Sequence, residues 1–400
     1  LKESLELLKD YKNIIYTLGG HRLEDFKNRD MIIKSAGVPL DSIYITEARK
    51  NKIPIEMSTS LFAQLTPATI VGITGTRGKS TVTHLLYEIL KVAFPQKQIF
   101  LGGNVKGIAT LPLLEKAKKG DIAVLELDSW QLQGFSEAKI SPHIAVFTTF
   151  FSDHLNYYKN NLDRYMEDKV SIFINQKSED FLVLGSQVSE IVLSKYKKII
   201  KSKIIIPNIA SVAKIKSKLL GEHNKYNISL VIATARILNV SDDIIKKVVE
   251  SFTGVSGRLE LVRTINGVNI YNDTTATTPE ATIAGLEAFD KNIILIMGGA
   301  DKNLDMTKLI SLIPKHCKEV FVLPGTGTER IKNKLKTLRN VDITFVKTLE
   351  EAVKKAFKIA KSGDSLLFSP AFASFGMFKN EFDRGEKFNK IVLDICKPVC

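Results

Sequence analysis

Residues 72–81 read Gly-Ile-Thr-Gly-Thr-Arg-Gly-Lys-Ser-Thr, and this stretch decides the fold of the chain. An apolar, largely β-branched run precedes it from Ala68 to Thr74, and apolar residues recur at helical spacing from Lys79 to Val92. The pattern therefore predicts a buried strand, a glycine-rich turn and a helix, in that order. The backbone N–H groups of such a turn and the positive end of the helix both suit phosphate oxygens.

The end of this stretch adds the side chains that a nucleoside triphosphate needs. Lys79 is placed to reach the β- and γ-phosphates, and the Ser80 hydroxyl is placed to bind Mg²⁺. The spacing departs from the strict Walker pattern, which has a glycine five residues before Gly78, where this chain has Ile73. A plain glycine turn is the alternative, and the Lys-Ser-Thr triplet favours a nucleotide site over it.

Composition places the chain among ordinary globular proteins, with 44% hydrophobic and 25% charged residues in 400. The formal net charge is +14, but the lysines are spread along the chain, which favours small anionic substrates over nucleic acid. No apolar run is long enough to span a membrane, and the first residues lack the layout of a signal peptide. The three cysteines form no disulfide or metal spacing. We expect a cytoplasmic protein without nucleic-acid or membrane partners.

The pattern along the chain predicts three α/β domains, at 1–66, 67–254 and 255–400. In the central block, short continuous apolar runs alternate with helix-length segments, which is typical of a parallel sheet covered on both faces. The last block opens with two β runs around Asn266-Gly267, a strong hairpin signal, and then predicts a second doubly wound sheet. The predicted strands are Thr69–Thr74, Gln98–Leu101, Ile122–Leu127, Ile144–Phe147 and Phe181–Leu184 in the central block, and Leu259–Ile265, Val268–Asn272, Asn292–Met297, Val320–Leu323, Ile343–Val346 and Ser365–Phe368 in the last.

Polar residues follow several of these strands, at the edge where open α/β sheets bind ligands. Glu126 could bind Mg²⁺, although a lone acid at a strand end is also a common helix cap. His154 could enter the same cleft, although an isolated histidine is often structural. Asn104 ends a Gly-Gly-Asn turn, and by itself that pattern indicates only a turn.

Eight strings of residues occur here in the order in which they occur in Mur ligases, and the chain resembles this family over nearly its whole length. A set of colinear motifs is far more specific than any one of them. The strings are ITGTRGKST (73–81), LELDSWQL (125–132), DHL (153–155), GEHNKYN (221–227), SGRLE (256–260), YNDTTAT (271–277), MGGADK (297–302) and SPAFASF (369–375).

The resemblance implies an ATP-dependent amide ligase of peptidoglycan precursor synthesis. Three domains are implied: an N-terminal UDP-binding domain, a central P-loop ATPase domain and a C-terminal Rossmann-like domain. The strings are most similar to those of members that add D-glutamate to UDP-N-acetylmuramoyl-L-alanine through an acyl phosphate, and a monomer is expected. Because nothing before Ser35 matches the strand and glycine-rich loop with which the family holds UDP, we expect the N-terminal domain to be incomplete.

The resemblance also implies roles for individual residues. Lys169 lies inside a helix predicted over Leu162–Asn175, where a solvated lysine is the default interpretation, but the family carries a lysine in this register as a metal-binding carbamate. Two Mg²⁺ ions are implied, with Ser80, Glu126, His154 and Lys169 as ligands. The implied catalytic residues are Lys79, His154, Lys169 and Arg258. The implied ATP contacts are Gly75, Thr76, Gly78, Lys79, Ser80, Thr81, Asn224, Asn227, Arg258 and Asp273. The implied substrate contacts are Ser35, Gly37 and Asn104 for the nucleotide sugar and Thr277, Lys302 and Ser374 for glutamate.

The chain departs from the family pattern at three positions. Thr275 stands where the family has a lysine near the nucleotide, so a cation is replaced by a hydroxyl. Asp128 stands where a serine is common, and Phe151 where a small polar residue is common.

Three alternatives stay open. A sister ligase would add L-glutamate or another amino acid to the same kind of acceptor. A nucleotide-binding fragment would retain the ATP site without ligase activity. A folylpolyglutamate synthetase shares the P-loop and the fold but lacks a UDP domain, and residues 1–66 argue against it.

Overall fold

The computed structural model of the chain describes residues 2–153, 157–212 and 215–395. Two six-stranded sheets are covered by helices, so the predicted α/β class is confirmed. The strands are β1 (Ile32–Ile33), β2 (Ile55–Glu56), β3 (Thr69–Thr74), β4 (Ile99–Gly103), β5 (Ile122–Glu126), β6 (Ile144–Phe147), β7 (Phe181–Leu184), β8 (Lys203–Ile205), β9 (Glu260–Ile265), β10 (Val268–Asn272), β11 (Ile293–Gly298), β12 (Cys317–Leu323), β13 (Asp342–Phe345) and β14 (Ser365–Phe368). The helices are α1 (Lys2–Leu8), α2 (Ile43–Lys50), α3 (Ser58–Leu65), α4 (Lys79–Ala93), α5 (Ser129–Glu137), α6 (Leu162–Val170), α7 (Ser186–Tyr196), α8 (Glu222–Ile237), α9 (Asp242–Ser251), α10 (Pro279–Glu287), α11 (Thr307–His316), α12 (Thr326–Lys336), α13 (Leu349–Ile359) and α14 (Glu381–Ile395). Short 3₁₀ helices cover Leu23–Phe26, Leu111–Glu115 and Ile209–Val212.

The central sheet is parallel, with the strand order β4-β5-β3-β6-β7-β8. All five strands predicted for the central block are confirmed, and β8 adds an edge strand that the sequence did not predict. Helices α4, α8 and α9 pack on one face, and α3, α5, α6 and α7 pack on the other. Because both faces are buried, these strands consist of continuous apolar runs rather than alternating ones.

The C-terminal sheet has the order β13-β12-β11-β14-β10-β9, with β9 antiparallel to β10 and the other pairs parallel. Helices α10, α11 and α12 cover one face, and α13 and α14 cover the other, so the second doubly wound sheet is confirmed. The predicted hairpin is also confirmed, because Asn266 and Gly267 join β9 to β10 with φ values of 50° and 78°. A type I′ turn requires positive φ at both positions, which favours Asn-Gly.

Near the N-terminus, β1 and β2 form a two-stranded parallel sheet in which Ile32 pairs with Ile55. Strand β1 leads directly into the turn that contains Ser35 and Gly37. Among the described residues, no helix combines the length and the apolar character that crossing a membrane requires.

Candidate active site at the phosphate loop

Residues 75–78, here called the phosphate loop, join the carboxyl end of β3 to the first residue of α4. Gly75 has a φ of 146° and Gly78 a φ of 86°, a region that disfavours side chains. A Cβ atom would also collide with the Thr148 hydroxyl at Gly75 and with the Asn227 amide at Gly78. The two glycines are therefore required both by the backbone conformation and by close packing.

The end of β6 supports the phosphate loop from the side. The Thr76 N–H donates to the Thr149 carbonyl oxygen at 2.7 Å, and the Arg77 N–H donates to Thr149 Oγ1 at 3.0 Å. Thr148 Oγ1 donates to the Arg77 carbonyl oxygen. These bonds fix the loop but consume two of its backbone donors. The N–H groups left for phosphate are those at the start of α4, which lack acceptors within the helix.

Two lysine side chains meet at the phosphate loop. Lys79 Nζ donates to the carbonyl oxygens of Gly75 and Thr76, at 3.1 and 3.2 Å. Lys169 Nζ donates to the same Gly75 oxygen at 2.9 Å, although the two lysines are 90 positions apart in the chain. The structure thus brings together two residues that were predicted separately as catalytic.

Lys169 is 1% exposed, so the default interpretation as a solvated lysine is wrong. It is also not in the middle of a helix, because α6 ends at Val170 rather than at Asn175. Its ammonium nitrogen lies 4.8 Å from the centre of the Tyr165 ring. Burial lowers the pKa of Lys169 well below its ordinary value, and the positive charge of Lys79 lowers it further.

Two of the predicted metal ligands, Ser80 and Glu126, are oxygen donors at one edge of the central sheet. Ser80 lies in the first turn of α4 and is 8% exposed, and Glu126 ends β5 with 3% exposed. In the described part of the chain, Glu126 has no ion-pair partner within 4 Å, and a buried carboxylate without a cation is unfavourable. These donors therefore suit Mg²⁺.

His154, a further predicted ligand, lies outside the described residues. Within them, no group of three or more His, Cys, Asp or Glu side chains is arranged to hold a metal ion. The roles of Ser80, Glu126, His154 and Lys169 as metal ligands therefore stay predictions.

The predicted nucleotide contacts from α8 also reach the phosphate loop. Asn227 packs directly against Gly78, and its Nδ2 donates to Asn224 Oδ1 at 3.2 Å. Asn224 Nδ2 in turn donates to the Leu220 carbonyl oxygen at 2.7 Å. Both amides are buried. The second turn of α8 therefore lies beside the turn that precedes α4.

Asp273, which was predicted at the nucleotide, is bound within the C-terminal part of the chain. Its carboxylate accepts from the Leu259 N–H at 3.2 Å and from Ser369 Oγ at 2.7 Å. Burial raises the pKa of Asp273 to about 7, although both hydrogen bonds and the nearby Arg258 guanidinium oppose the shift. Arg258 itself is exposed. The roles of both residues at the nucleotide stay predictions.

The three residues predicted to hold glutamate cluster at the carboxyl end of the C-terminal sheet. Lys302 Nζ donates to Thr277 Oγ1 at 3.0 Å. An antiparallel bridge between Ala300 and Ala373 places Ser374 next to the same segment. Burial lowers the pKa of Lys302. Lys302 and Thr277 are therefore in direct contact and Ser374 lies one residue from a bridged strand position, while the binding of glutamate by these residues stays a prediction.

Two of the departures from the family pattern have structural explanations. Thr275 Oγ1 donates to the Gly257 carbonyl oxygen at 2.9 Å, so it fixes the turn that precedes β9. Asp128 is the N-cap of α5, and it forms a capping box with Gln131. The third departure, Phe151, lies with its ring centre 5.6 Å from the Arg77 guanidinium.

The predicted nucleotide-sugar contacts lie in two places, after the carboxyl end of β4 and in the turn that follows β1. Asn104 follows β4, and its N–H donates to the Glu126 carbonyl oxygen at 2.7 Å. Ser35 and Gly37 are exposed, whereas the preceding Lys34 is buried. We did not identify Lys34 from the sequence, and its only signal is a lone lysine at the end of an apolar run.

One contact joins the phosphate loop to the C-terminal part of the chain. Arg77 Nη2 lies 3.5 Å from Glu280 Oε2 on α10, the helix that follows Thr277. Both side chains are partly solvated, so the pair contributes little stability. It does show that the phosphate loop and the Thr277 segment face each other.

Comparison with known proteins gives matches over most of the chain. Residues 73–206 match the family described as Mur ligase middle domain, and residues 257–372 match Mur ligase, glutamate ligase domain. A UDP-N-acetylmuramoylalanine–D-glutamate ligase of Roseiflexus sp. (strain RS-1) is 36% identical, covering 98% of this chain and 90% of that protein. The same identity is found to the ligase of that name from Acetivibrio thermocellus, covering 99% of this chain and 89% of that protein.

The fold is similar to that of solved structures as well. A MurF ligase from Thermotoga maritima, solved in complex with ADP, has a TM-score of 0.61 and 19% identity, covering 88% of this chain and 92% of that chain. At this level of identity the similarity concerns the fold.

Proposed function

This chain belongs to the Mur ligase family, and we propose that it is an ATP-dependent ligase that joins D-glutamate to UDP-N-acetylmuramoyl-L-alanine in peptidoglycan precursor synthesis. The relatives from Roseiflexus and Acetivibrio carry this activity in their names. One structural observation supports the chemistry most directly: Lys79 and Lys169 converge on the phosphate loop, beside the buried Glu126.

The proposed reaction has two steps because a carboxylate does not condense with an amine unaided. The γ-phosphoryl group of ATP moves to a carboxylate oxygen of the alanyl group, and ADP leaves. The amine nitrogen of glutamate then attacks the acyl carbon, the bond to the phosphoryl oxygen breaks, and the amine loses a proton. Phosphoryl transfer depends mainly on positioning and charge neutralisation. Lys79 and the N–H groups at the start of α4 supply both at the phosphates.

Mg²⁺, when bound, supplies further charge neutralisation and orients phosphate oxygens. Ser80 and Glu126 would hold it, and we assign His154 to a second ion. A cationic Lys169 would repel a metal, but the lowered pKa favours its neutral amine, which is the form that adds CO₂. The resulting carbamate would be an anionic ligand in place of a cation.

The remaining predicted residues are proposed to contact the nucleotide or to hold the phosphate loop. We propose that Gly75, Gly78 and Thr81 shape or contact the phosphate site, with Asn224, Asn227, Arg258 and Asp273 on the nucleotide side. Thr76 has its N–H and hydroxyl engaged within the protein, so its contribution is to hold the loop. We retain the boundaries 1–66, 67–254 and 255–400, and the family matches at 73–206 and 257–372 fall inside the second and third of these blocks.

We propose that the glutamate carboxylates are bound by Lys302, Thr277 and Ser374. A site built from a cation and two hydroxyls discriminates strongly against substrates that lack partners for them. Ser35, Gly37 and Asn104 are proposed to bind the nucleotide sugar on the opposite side of the phosphate loop. We further propose that the protein acts in the cytoplasm, as a monomer, on these small molecules.

The proposal is tested by measuring ADP release from ATP with UDP-N-acetylmuramoyl-L-alanine and, in parallel, D-glutamate, L-glutamate, D-aspartate or L-lysine. We expect release with D-glutamate and formation of the dipeptide product. Preference for L-glutamate would assign the sister activity, and preference for lysine would overturn the glutamate site. ATP binding without substrate-stimulated ADP release would assign a nucleotide-binding role instead.

A further inference from the structure

Lys34 is a buried lysine at the end of β1, with 6% of its surface exposed. Its Nζ donates to the carbonyl oxygens of Ser35, Ala36 and Val38, at 3.4, 3.3 and 3.0 Å. In the described part of the chain, no carboxylate lies within 4 Å of this nitrogen. A lysine is rarely buried without an acidic partner, so these three carbonyl groups are what hold the ammonium.

Residues 35–38 form a turn, here called the 35–38 turn, in which the carbonyl oxygens and the N–H groups differ in their hydrogen bonding. The ammonium of Lys34 donates to three of its four carbonyl oxygens, those of Ser35, Ala36 and Val38, and the Val38 N–H also donates to the Ser35 oxygen at 3.1 Å. The N–H groups of Ser35, Ala36 and Gly37 have no acceptor among the described residues. A turn whose carbonyls are satisfied and whose amides are free is suited to an anion.

Charged side chains of α2, α5 and α6 act on the Lys34 ammonium. Burial lowers the pKa of Lys34 to about 8, while the carboxylates of Asp128 and Asp168 favour the charged form and Arg49 opposes it. Asp128 caps α5, and Asp168 precedes Lys169 on α6. The ammonium is therefore held close to helices that bear on the phosphate loop.

We propose that Lys34 is a positioning residue for the nucleotide-sugar substrate. Its ammonium fixes the carbonyl groups of the 35–38 turn, and the free amides of the turn then bind a phosphate group of the substrate. The inference rests on the proposed function, because that function supplies an anionic nucleotide sugar as the ligand. Lys34 does not touch the reacting atoms in this assignment.

The test replaces the ammonium by an apolar group of similar length. For Lys34→Met in the full chain, we expect the KM for UDP-N-acetylmuramoyl-L-alanine to rise about tenfold or more, the loss of about 1.4 kcal/mol of binding. The kcat and the KM for ATP should stay within about twofold, since only uniform binding of one substrate is removed. The matched control is Lys50→Met, at an exposed lysine of α2, which should leave all three constants unchanged.

A second measurement tests the turn without any substrate. Hydrogen exchange of the Val38 amide should be faster in Lys34→Met than in the wild-type protein, because the turn loses its central cation. Wild-type KM with unchanged exchange in a folded Lys34→Met protein would overturn the inference. If the wild-type protein has no ligase activity, the proposed function fails, and the exchange comparison still decides whether Lys34 holds the turn. If Lys34→Met does not fold, both measurements are made on Lys34→Arg. The planar guanidinium of arginine cannot donate to three converging carbonyl oxygens as the ammonium does. Wild-type KM and exchange values in Lys34→Arg would overturn the inference.

Discussion

Lys79 on α4 and Lys169 on α6 both donate to the carbonyl oxygen of Gly75, at 3.1 and 2.9 Å. A carbonyl dipole cannot neutralise the ammonium of Lys79 or offset the burial of a charge on Lys169, and within the described residues neither lysine forms an ion pair with a carboxylate. The arrangement is therefore electrostatically incomplete. We propose that a phosphate of ATP supplies the counter-charge at Lys79 and that Lys169 becomes anionic as a carbamate.

The first prediction concerns Lys79. Lys79→Ala should lower kcat/KM for ATP-dependent ligation by about 10³-fold or more, because a positive charge at the transferred phosphoryl group is removed. The fold should be retained, since the side chain bonds only to the surface of the phosphate loop. ADP release and circular dichroism are the measurements. The control is Lys91→Ala on the same helix, an exposed lysine beside Glu88, which should keep full activity.

The second prediction concerns Lys169. Lys169→Ala should lose activity and regain part of it with added formate or acetate, because a small carboxylate can occupy the place of the carbamate. Lys169→Arg should not be rescued, since its fixed cation fills that place. Lys177→Ala, at an exposed lysine nearby in the sequence, is the control. Full activity of Lys169→Ala without additives would refute the metal-ligand role.

The phosphate loop and its flanking elements were predictable because their signals are local. Two glycines, Lys79 and the apolar runs on either side specify the strand-turn-helix order within about 25 residues. The hairpin at Asn266-Gly267 was predictable for the same reason, since the turn type itself demands those residues. The proximity of Thr277 and Lys302 could be predicted only through the family resemblance.

The surroundings of Lys169 and Lys34 were not predictable from local pattern. Helical spacing continues past Val170, but the hydrogen bonds there shorten to three-residue turns, from the Ile172 N–H to the Lys169 oxygen and from the Phe173 N–H to the Val170 oxygen. The helix therefore ends earlier than its spacing suggests. The burial of both lysines depends on contacts between segments far apart in the sequence, and a lysine in isolation predicts solvent exposure.

The third prediction is a pH dependence of stability caused by Asp273. Its pKa of about 7 in the folded protein lies above the ordinary value of 3.8, so the folded state binds the proton more tightly. The protonated Asp273 carboxyl contributes on the order of 4 kcal/mol to the free energy of unfolding. This contribution is fully present below about pH 4 and is lost as the pH rises towards 7. In the wild-type protein the melting temperature should therefore fall from pH 4 to 8, and Asp273→Asn should make this fall smaller. An unchanged slope would show that Asp273 ionises normally when buried.

The last prediction concerns the amino-acid site. Lys302→Met should raise the KM for D-glutamate by about 10- to 100-fold, because a hydrogen bond to a charged carboxylate is worth about 1.5–3 kcal/mol. The KM for ATP should hardly change, since Lys302 bonds to Thr277 at the C-terminal sheet and not to the phosphate loop. Thr277→Val should give a smaller rise, because it removes one neutral hydroxyl. The control is Lys315→Met, on the last turn of α11. An equal rise in both KM values for Lys302→Met would indicate a general loss of structure and would refute the assignment of Lys302 to glutamate.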